Sequence, residues 1–251
     1  MLLTDIALLG LSGFFAGMVN AIAGGGTFLT FGALTLVGLP PISANATSSI
    51  TQFPGYVTST LAYWSDLKRI WRSALLMGVV SAIGAGAGAL ILLALSNPSF
   101  RAMVPWLLLA ATALFAAGPW LKPKRKAVTT TPEKATPFAL LLQLLTSIYG
   151  GFFGAGMGVM MLATLGLTQN GDYHRLNALK NLFSAIIAVV AIVVFVSGGV
   201  VAWPEALVMI PAVALGGYAG VWTARRVPQT AVRLVVIGIG LLLAIYYFAQ
   251  G

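Results

Sequence analysis

The chain has 251 residues, 59% of them hydrophobic and only 8% charged, with a mean hydropathy of +0.96. That composition excludes a water-soluble enzyme, in which about a quarter of the residues would carry charge. A formal charge of +9 would suggest nucleic acid as partner in a soluble protein, but topology accounts for it here, and zero cysteines and one histidine exclude thiolate chemistry and a histidine-rich metal cluster.

Residues 6–65 carry no formal charge, and further charge-free runs occupy 73–100, 102–121, 135–171, 181–204, 206–224 and 234–251. About 20 apolar residues cross the bilayer as a helix, so these runs hold spans and multiples of spans. The fold class is all-α and polytopic. The apolar chain continues from Ala21-Ile22-Ala23 into Gly24 without a basic n-region, so the N-terminus reads as a first membrane element and not a cleaved leader.

Predicted helices cover 4–23, 27–38, 45–64, 73–95, 101–120, 138–153, 158–167, 175–197, 204–224 and 232–249. The second and seventh are too short to cross, and each follows a helix-breaking glycine cluster: Gly24, Gly25 and Gly26, then Gly150, Gly151, Gly154, Gly156 and Gly158. Each short helix therefore pairs with its predecessor as a hairpin. Basic residues set the orientation, because cytoplasmic loops collect Lys and Arg. Lys68, Arg69 and Arg72, then Lys122, Lys124, Arg125, Lys126 and Lys134, then Arg175 and Lys180, then Arg225, Arg226 and Arg233 all fall on one side. Arg101 alone falls on the other. Both termini are then on the outer side.

Each half reads as a glycine-broken hairpin plus three transmembrane helices, the second half inverted relative to the first. The boundaries are 1–121 for the first repeat, 122–137 for a basic cytoplasmic linker and 138–251 for the second repeat. Gly13-Phe14-Phe15 recurs as Gly151-Phe152-Phe153, Gly38-Leu39 as Gly166-Leu167, and Ala44-Asn45-Ala46 as Leu176-Asn177-Ala178. Trp64, Trp71, Trp106, Trp120, Trp203 and Trp222 fall near span ends, as interfacial anchors do.

Inverted repeats with helices broken at matching places point to a transporter site at mid-membrane. Backbone groups freed at the breaks must face protein or a polar cavity, and the N-terminus of a half-helix favours an anion. Asn45, Ser48, Ser49 and Gln52 follow the spacing of one helix face, with Thr47 beside them, and Asn177, Lys180 and Asn181 repeat that spacing. Two such stripes, beside the two hairpins, would line one cavity. A lysine at the bilayer centre costs about 2.5–3.5 kcal/mol or more unless paired. An anionic substrate would pair with Lys180, since Asp5, Asp66, Glu133, Asp172 and Glu205 map to loops or helix ends.

On the stretches GFFAGMVNAIAGGGTFLTFGALTLVGLPPISANATSSI (13–50), GGFFGAGMGVMMLATLGL (150–167), NALKN (177–181) and LGGYAGVWTARRVPQTAVRLVVIGIGLLLAIYYF (215–248), the chain resembles the TauE/SafE (TSUP) sulfite exporter family. The resemblance runs along essentially the whole chain and is to the branch of probable membrane transporters. It implies transport of a small sulfur-containing or organic anion, such as sulfite, sulfoacetate or another organosulfonate, across the bacterial inner membrane. By position it places the paired family regions on Gly24, Gly25, Gly26, Asn45, Thr47 and Ser48, and on Gly154, Gly156, Gly158, Asn177, Lys180 and Asn181.

The leading expectation is a secondary transporter or facilitator working by alternating access. Thr27 and Gln52 complete the expected site with the residues just named. A channel-like facilitator is the alternative, with an intramembrane enzyme or a scaffold behind it. A serine hydrolase would need a base, and His174 sits in a predicted loop away from the buried serines. The expected partners are a small anion and the lipid bilayer, with no nucleic acid and no metal or cofactor, and a homo-oligomer is allowed.

Overall fold

A computed structural model describes residues 2–22, 25–62, 64–117, 136–169, 173–223 and 229–250. Among these, ten helices and no strands form: α1 (Leu3–Ile22), α2 (Gly26–Leu36), α3 (Pro41–Ala62), α4 (Trp64–Ala94), α5 (Asn97–Ala117), α6 (Pro137–Phe152), α7 (Met157–Thr168), α8 (Tyr173–Ser197), α9 (Trp203–Thr223) and α10 (Gln229–Gln250). Five of them, α1, α4, α5, α8 and α10, are long and apolar enough to span a membrane. The chain is a polytopic membrane protein. The expected linker, apart from Thr136 and Pro137, lies outside the described residues, as does Gly24.

Several boundaries move from their expected places. α3 begins at Pro41 rather than 45, because a proline at the first helical position brings its own φ and lacks only an N–H that would have no partner there. α4 begins at Trp64, so Lys68, Arg69 and Arg72 lie on its first turns and not in a loop. Arg101 likewise belongs to the second turn of α5. Trp64 and Trp203 open their helices, but Trp106 is ten residues into α5, where it packs edge-on against Phe248 with ring centres 5.3 Å apart.

Cross-chain hydrogen bonds fix which helix ends lie together. The Ile42 N–H donates to Asn97 Oδ1 (3.1 Å), the Ala202 N–H donates to Thr47 Oγ1 (3.0 Å), and the hydroxyls of Thr35 and Tyr247 meet at 3.0 Å. The starts of α3, α5 and α9 therefore share one end with the finishes of α2 and α10. At the opposite end Leu67 of α4, Leu165 of α7 and Leu176 of α8 belong to one apolar cluster, and Gln169, just past α7, reaches the Met77 sulfur at 3.5 Å.

Glycines let helices run side by side at backbone contact. A Cβ on Gly13 would lie 3.2 Å from Ala212 Cβ, and one on Gly17 would strike the Val213 carbonyl oxygen, so α1 and α9 run parallel. In the other half Gly84 faces Leu144 and Ser147 while Gly88 faces Ile148 and Phe152, which makes α6 parallel to α4. The hairpin α1–α2 thus enters from the end where α9 starts, and α6–α7 enters from the end where α4 starts. With 11 and 12 residues, α2 and α7 are only about 17 and 18 Å long, so both hairpins turn at mid-depth.

Exchanging α1 with α6, α2 with α7, α3 with α8, α4 with α9 and α5 with α10 maps the principal pairings onto one another. α1·α9 goes to α6·α4, α4·α8 to α9·α3, α1·α2 to α6·α7, α2·α3 to α7·α8 and α10·α2 to α5·α7, while α3·α8 and α5·α10 map onto themselves. The smaller α3·α4, α3·α5 and α1·α10 contacts have no counterpart of similar extent. Asn45 and Asn177 are each the fifth residue of their helix. Gly13-Phe14-Phe15 does not correspond to Gly151-Phe152-Phe153 in place, since the first triplet is mid-way along α1 and the second straddles the end of α6. Gly38 likewise follows α2, whereas Gly166 lies within α7.

Candidate functional site

At mid-depth, where the two hairpin tips approach α3 and α8, Thr27, Ser49, Gln52, Tyr56, Gly150, Gly154, Met157, Ile187, Ala188 and Ala191 enclose a cavity of about 20 Å³. A water needs roughly 10–15 Å³ on this measure, so the conformation holds one water-sized occupant and closes out a sulfur oxyanion. The N-terminal turns of both half-helices border it, α2 through Thr27 and α7 through Met157. Such turns carry the positive end of the helix dipole, although at α7 the Met157 N–H already donates to the Gly154 carbonyl and those of Val159 and Met160 to the Gly156 carbonyl, and at α2 the Phe28 N–H donates to the Gly25 carbonyl.

The second tip is built by local backbone rules. α6 ends at Phe152, and Gly154 and Gly156 both take φ of +74°, a left-handed conformation that glycine adopts without the clash of a Cβ. The Gly154 N–H returns to the Tyr149 carbonyl at 3.2 Å, and the Tyr149 hydroxyl donates to the Ala155 carbonyl at 2.6 Å, closing the turn. One of the last carbonyls of α6, that of Phe152, accepts from Asn45 Nδ2 at 2.9 Å. An amide on α3 in the first half therefore satisfies a helix end in the second.

α3 supplies the polar wall. Ser49 and Gln52 face the cavity together with Tyr56, whose hydroxyl is turned toward the Thr27 side chain. Ser48 lies behind them and shares a 2.6 Å hydrogen bond with Thr30, to which Gln52 Nε2 makes a longer 3.5 Å contact. Gln52 is 1% exposed, and its Oε1 accepts no hydrogen bond among the described residues. Ser184 Oγ, on α8, is likewise buried without one. Gln52 and Ser184 are each the twelfth residue of their helix, so the pairs Asn45/Asn177, Ser48/Lys180, Ser49/Asn181 and Gln52/Ser184 hold matching places.

The expected residues divide into groups. Thr27, Gln52 and Gly154 meet at the cavity. Asn45 and Thr47 instead tie the helix ends at Phe152 and Ala202. Gly25 packs against Val236 and Phe115, Gly26 against the Ala16 carbonyl, and Gly156 against Ala111, so these three allow close approach of helices and do not line the cavity. Gly158 faces the stem of Lys180, whose Cδ a Cβ there would meet at 3.9 Å. Asn177 and Lys180 are half-buried and Asn181 is buried, yet none of the three touches the cavity, to which α8 contributes Ile187, Ala188 and Ala191. The two stripes do not line one cavity symmetrically.

Sequence reasoning missed Tyr56 and Ser184, although Tyr56 stands four residues beyond Gln52 on the same face and Ser184 four beyond Lys180. It also missed the apolar wall, which has no signal beyond ordinary membrane-helix composition. Between the cavity and the end where α3 starts, rings pack into a plug: Phe31 stacks on Tyr247 (5.9 Å) and meets Phe153 edge-on (5.6 Å), and Phe100 meets Phe152 (5.7 Å) and Phe153 (6.3 Å) edge-on. Toward the other end buried amide and thioether groups pack together, with Gln143 Nε2 donating to Ser81 Oγ (2.7 Å) and reaching the Met161 sulfur (3.3 Å). Among the described residues no three His, Asp or Glu side chains gather as metal ligands.

Comparison with known proteins agrees with this architecture. The family model for the sulfite exporter TauE/SafE matches residues 9–247. A probable membrane transporter protein, ORF9, of Sinorhizobium sp is 29% identical over 98% of this chain and 93% of its own length. One from Haemophilus influenzae is 27% identical over 92% of this chain and 90% of its own, and the probable membrane transporter protein YfcA of Escherichia coli K12 is 25% identical over 88% and 81%. With ten helices turned about two broken hairpins and a match that spans nearly every residue, the chain belongs to the TauE/SafE sulfite exporter family of membrane transporters.

Proposed function

We propose that this transporter moves a small anion, sulfite or an organosulfonate, across the bacterial inner membrane by alternating access, with both termini on the outer side. The observation that carries the reading is the mid-depth cavity bordered by two half-helix N-termini, with the hydroxyls of Thr27, Ser49 and Tyr56 and the Gln52 amide in its wall and Lys180 packed on Gly158 beside its rim. Positive dipole ends and a cation favour a negative solute. The exchange of helix pairings between residues 1–121 and 138–251, and hairpins that enter from opposite ends, support an inverted repeat. A site between two such halves is exposed to either side when they rock. A volume of about 20 Å³ is too small for an oxyanion, so the site must widen before one enters, in keeping with a carrier whose halves move.

Solute counterflow tests the proposal. Proteoliposomes preloaded with unlabelled sulfite are expected to accumulate labelled sulfite transiently, and protein-free vesicles are not. Absence of counterflow with sulfite and with simple sulfonates such as methanesulfonate overturns the reading.

A further inference from the structure

The charge inventory around the cavity bears on which anions fit and on which step of the cycle feels voltage. Lys180 is the eighth residue of α8, and its Cδ lies against Gly158 in the first turn of α7, next to the cavity-lining Met157. From Gly158 the helix runs ten more residues to Thr168, so about 15 Å of α7 separates this level from the near end of the bundle. Arg101 and Arg233 are each the fifth residue of α5 and α10, and Arg175 the third of α8, so Lys180 is the deepest described cation. The two carboxylates whose side chains are described, Asp5 and Glu205, sit in the first turns of α1 and α9 at the opposite end. The cavity wall itself is amide, hydroxyl, sulfur, glycine and hydrocarbon, with Lys180 behind Gly158 at its edge.

Building on the anion-carrier reading above, we infer that the substrate is a monoanion and that the empty carrier, not the loaded one, moves net charge across the membrane. Among the described residues one ammonium and no carboxylate lie beside the site, and a site of that charge is cationic when empty, neutral with a monoanion and anionic with a dianion. A net charge in a low-dielectric interior is costly in either sign, so the neutral complex is the one that rocks most easily. Singly charged sulfonates and hydrogensulfite fit this rule; doubly charged sulfoacetate and sulfite dianion do not. Exchange of one monoanion for another uses only the neutral complex. Net transport must also return the empty carrier with its ammonium, and that step alone responds to voltage.

Labelled methanesulfonate in proteoliposomes, with a potassium gradient and valinomycin setting the potential, separates the two steps. Methanesulfonate exchange is expected to keep the same rate with and without an interior-negative potential, while net flux changes several-fold. Sulfoacetate is expected to exchange at least several-fold more slowly than methanesulfonate. In Lys180→Gln the signs swap, because the loaded site becomes anionic and the empty one neutral, so exchange becomes voltage-sensitive. Exchange in the unaltered protein that tracks voltage as net flux does, or a preference for sulfoacetate, overturns the inference even if Lys180→Gln does not assemble. If none of sulfite, methanesulfonate and sulfoacetate moves at all, it is the anion-carrier reading that fails instead.

Discussion

Asn45 Nδ2 donates to the carbonyl oxygen of Phe152 across 107 positions of sequence, at 2.9 Å. The bond joins the start of α3 to the broken end of α6, and it does so where hydrocarbon would otherwise surround an open carbonyl. Replacing Asn45 with Leu keeps the volume and removes the donor. A loss of about 1 kcal/mol is expected, because the Phe152 carbonyl loses its donor while Asn45 Oδ1, itself buried without a donor among the described residues, is removed with it. The protein has six tryptophans, so their fluorescence during thermal unfolding in detergent reads it out. Unchanged unfolding in Asn45→Leu would show that the bond does not hold the hairpin.

Gln52 is held less firmly, since its Nε2 makes only a 3.5 Å contact with Thr30. Its Oε1, like Asn45 Oδ1, is buried and accepts nothing among the described residues, so the folded protein carries a polar cost there, and an anion in the cavity would be met by the amide N–H groups of the same side chain. Gln52→Leu is therefore expected to leave thermal stability equal or raised while lowering anion flux by at least about tenfold, a change of 1.4 kcal/mol. Ser184→Ala is expected to follow the same pattern more weakly. A variant that unfolds more readily yet transports normally would assign Gln52 to packing alone.

Two classes of glycine separate by substitution. At Gly88 a Cβ would strike the Ile148 carbonyl and lie 2.9 Å from Phe152 N, so Gly88→Ala should cost about 1–3 kcal/mol through forced separation of α4 and α6. Gly10 has nothing within 4 Å of the added carbon, and there alanine should be neutral or stabilise α1 by up to about 1 kcal/mol. Measured unfolding of the two variants side by side checks the assignment, and equal effects would contradict it.

The left-handed turn at the second tip gives a further test. Gly154→Ala introduces a Cβ at φ +74°, with an expected cost of about 1–2 kcal/mol, and displaces backbone that lines the cavity. Counterflow should fall more in this variant than in Gly88→Ala once each is compared at equal folded fraction. The reverse order would separate the tip from transport.

Much of this was legible in the sequence because membrane helices announce themselves. Charge-free runs marked the spans and glycine clusters marked both hairpins, the second because Gly154 and Gly156 take positive φ and the first because Gly25 and Gly26 leave room for close neighbours. The register of Asn45 and Asn177 was readable as well, being set by spacing within one helix. Contacts between helices were not. Gly25 and Gly26 look like ligand-facing glycines in sequence, yet their missing Cβ atoms make room for Val236 and Ala16. Tyr56, Ile187 and Ala191 reach the cavity only through the way α3 crosses α8, which no local pattern encodes. Pro40-Pro41 resembled a loop but opens a helix, because the first turn requires no N–H from its proline.

Oxidative cross-linking across the cavity tests the central claim most directly, and the absence of native cysteine makes it clean. Ser49 on α3 and Ala188 on α8 both line the cavity, one from each half. In the double variant Ser49→Cys with Ala188→Cys, counterflow should proceed in reductant, stop when the disulfide forms and return when it is reduced again. Undiminished counterflow through a fully cross-linked protein would mean that the anion does not pass between the two halves.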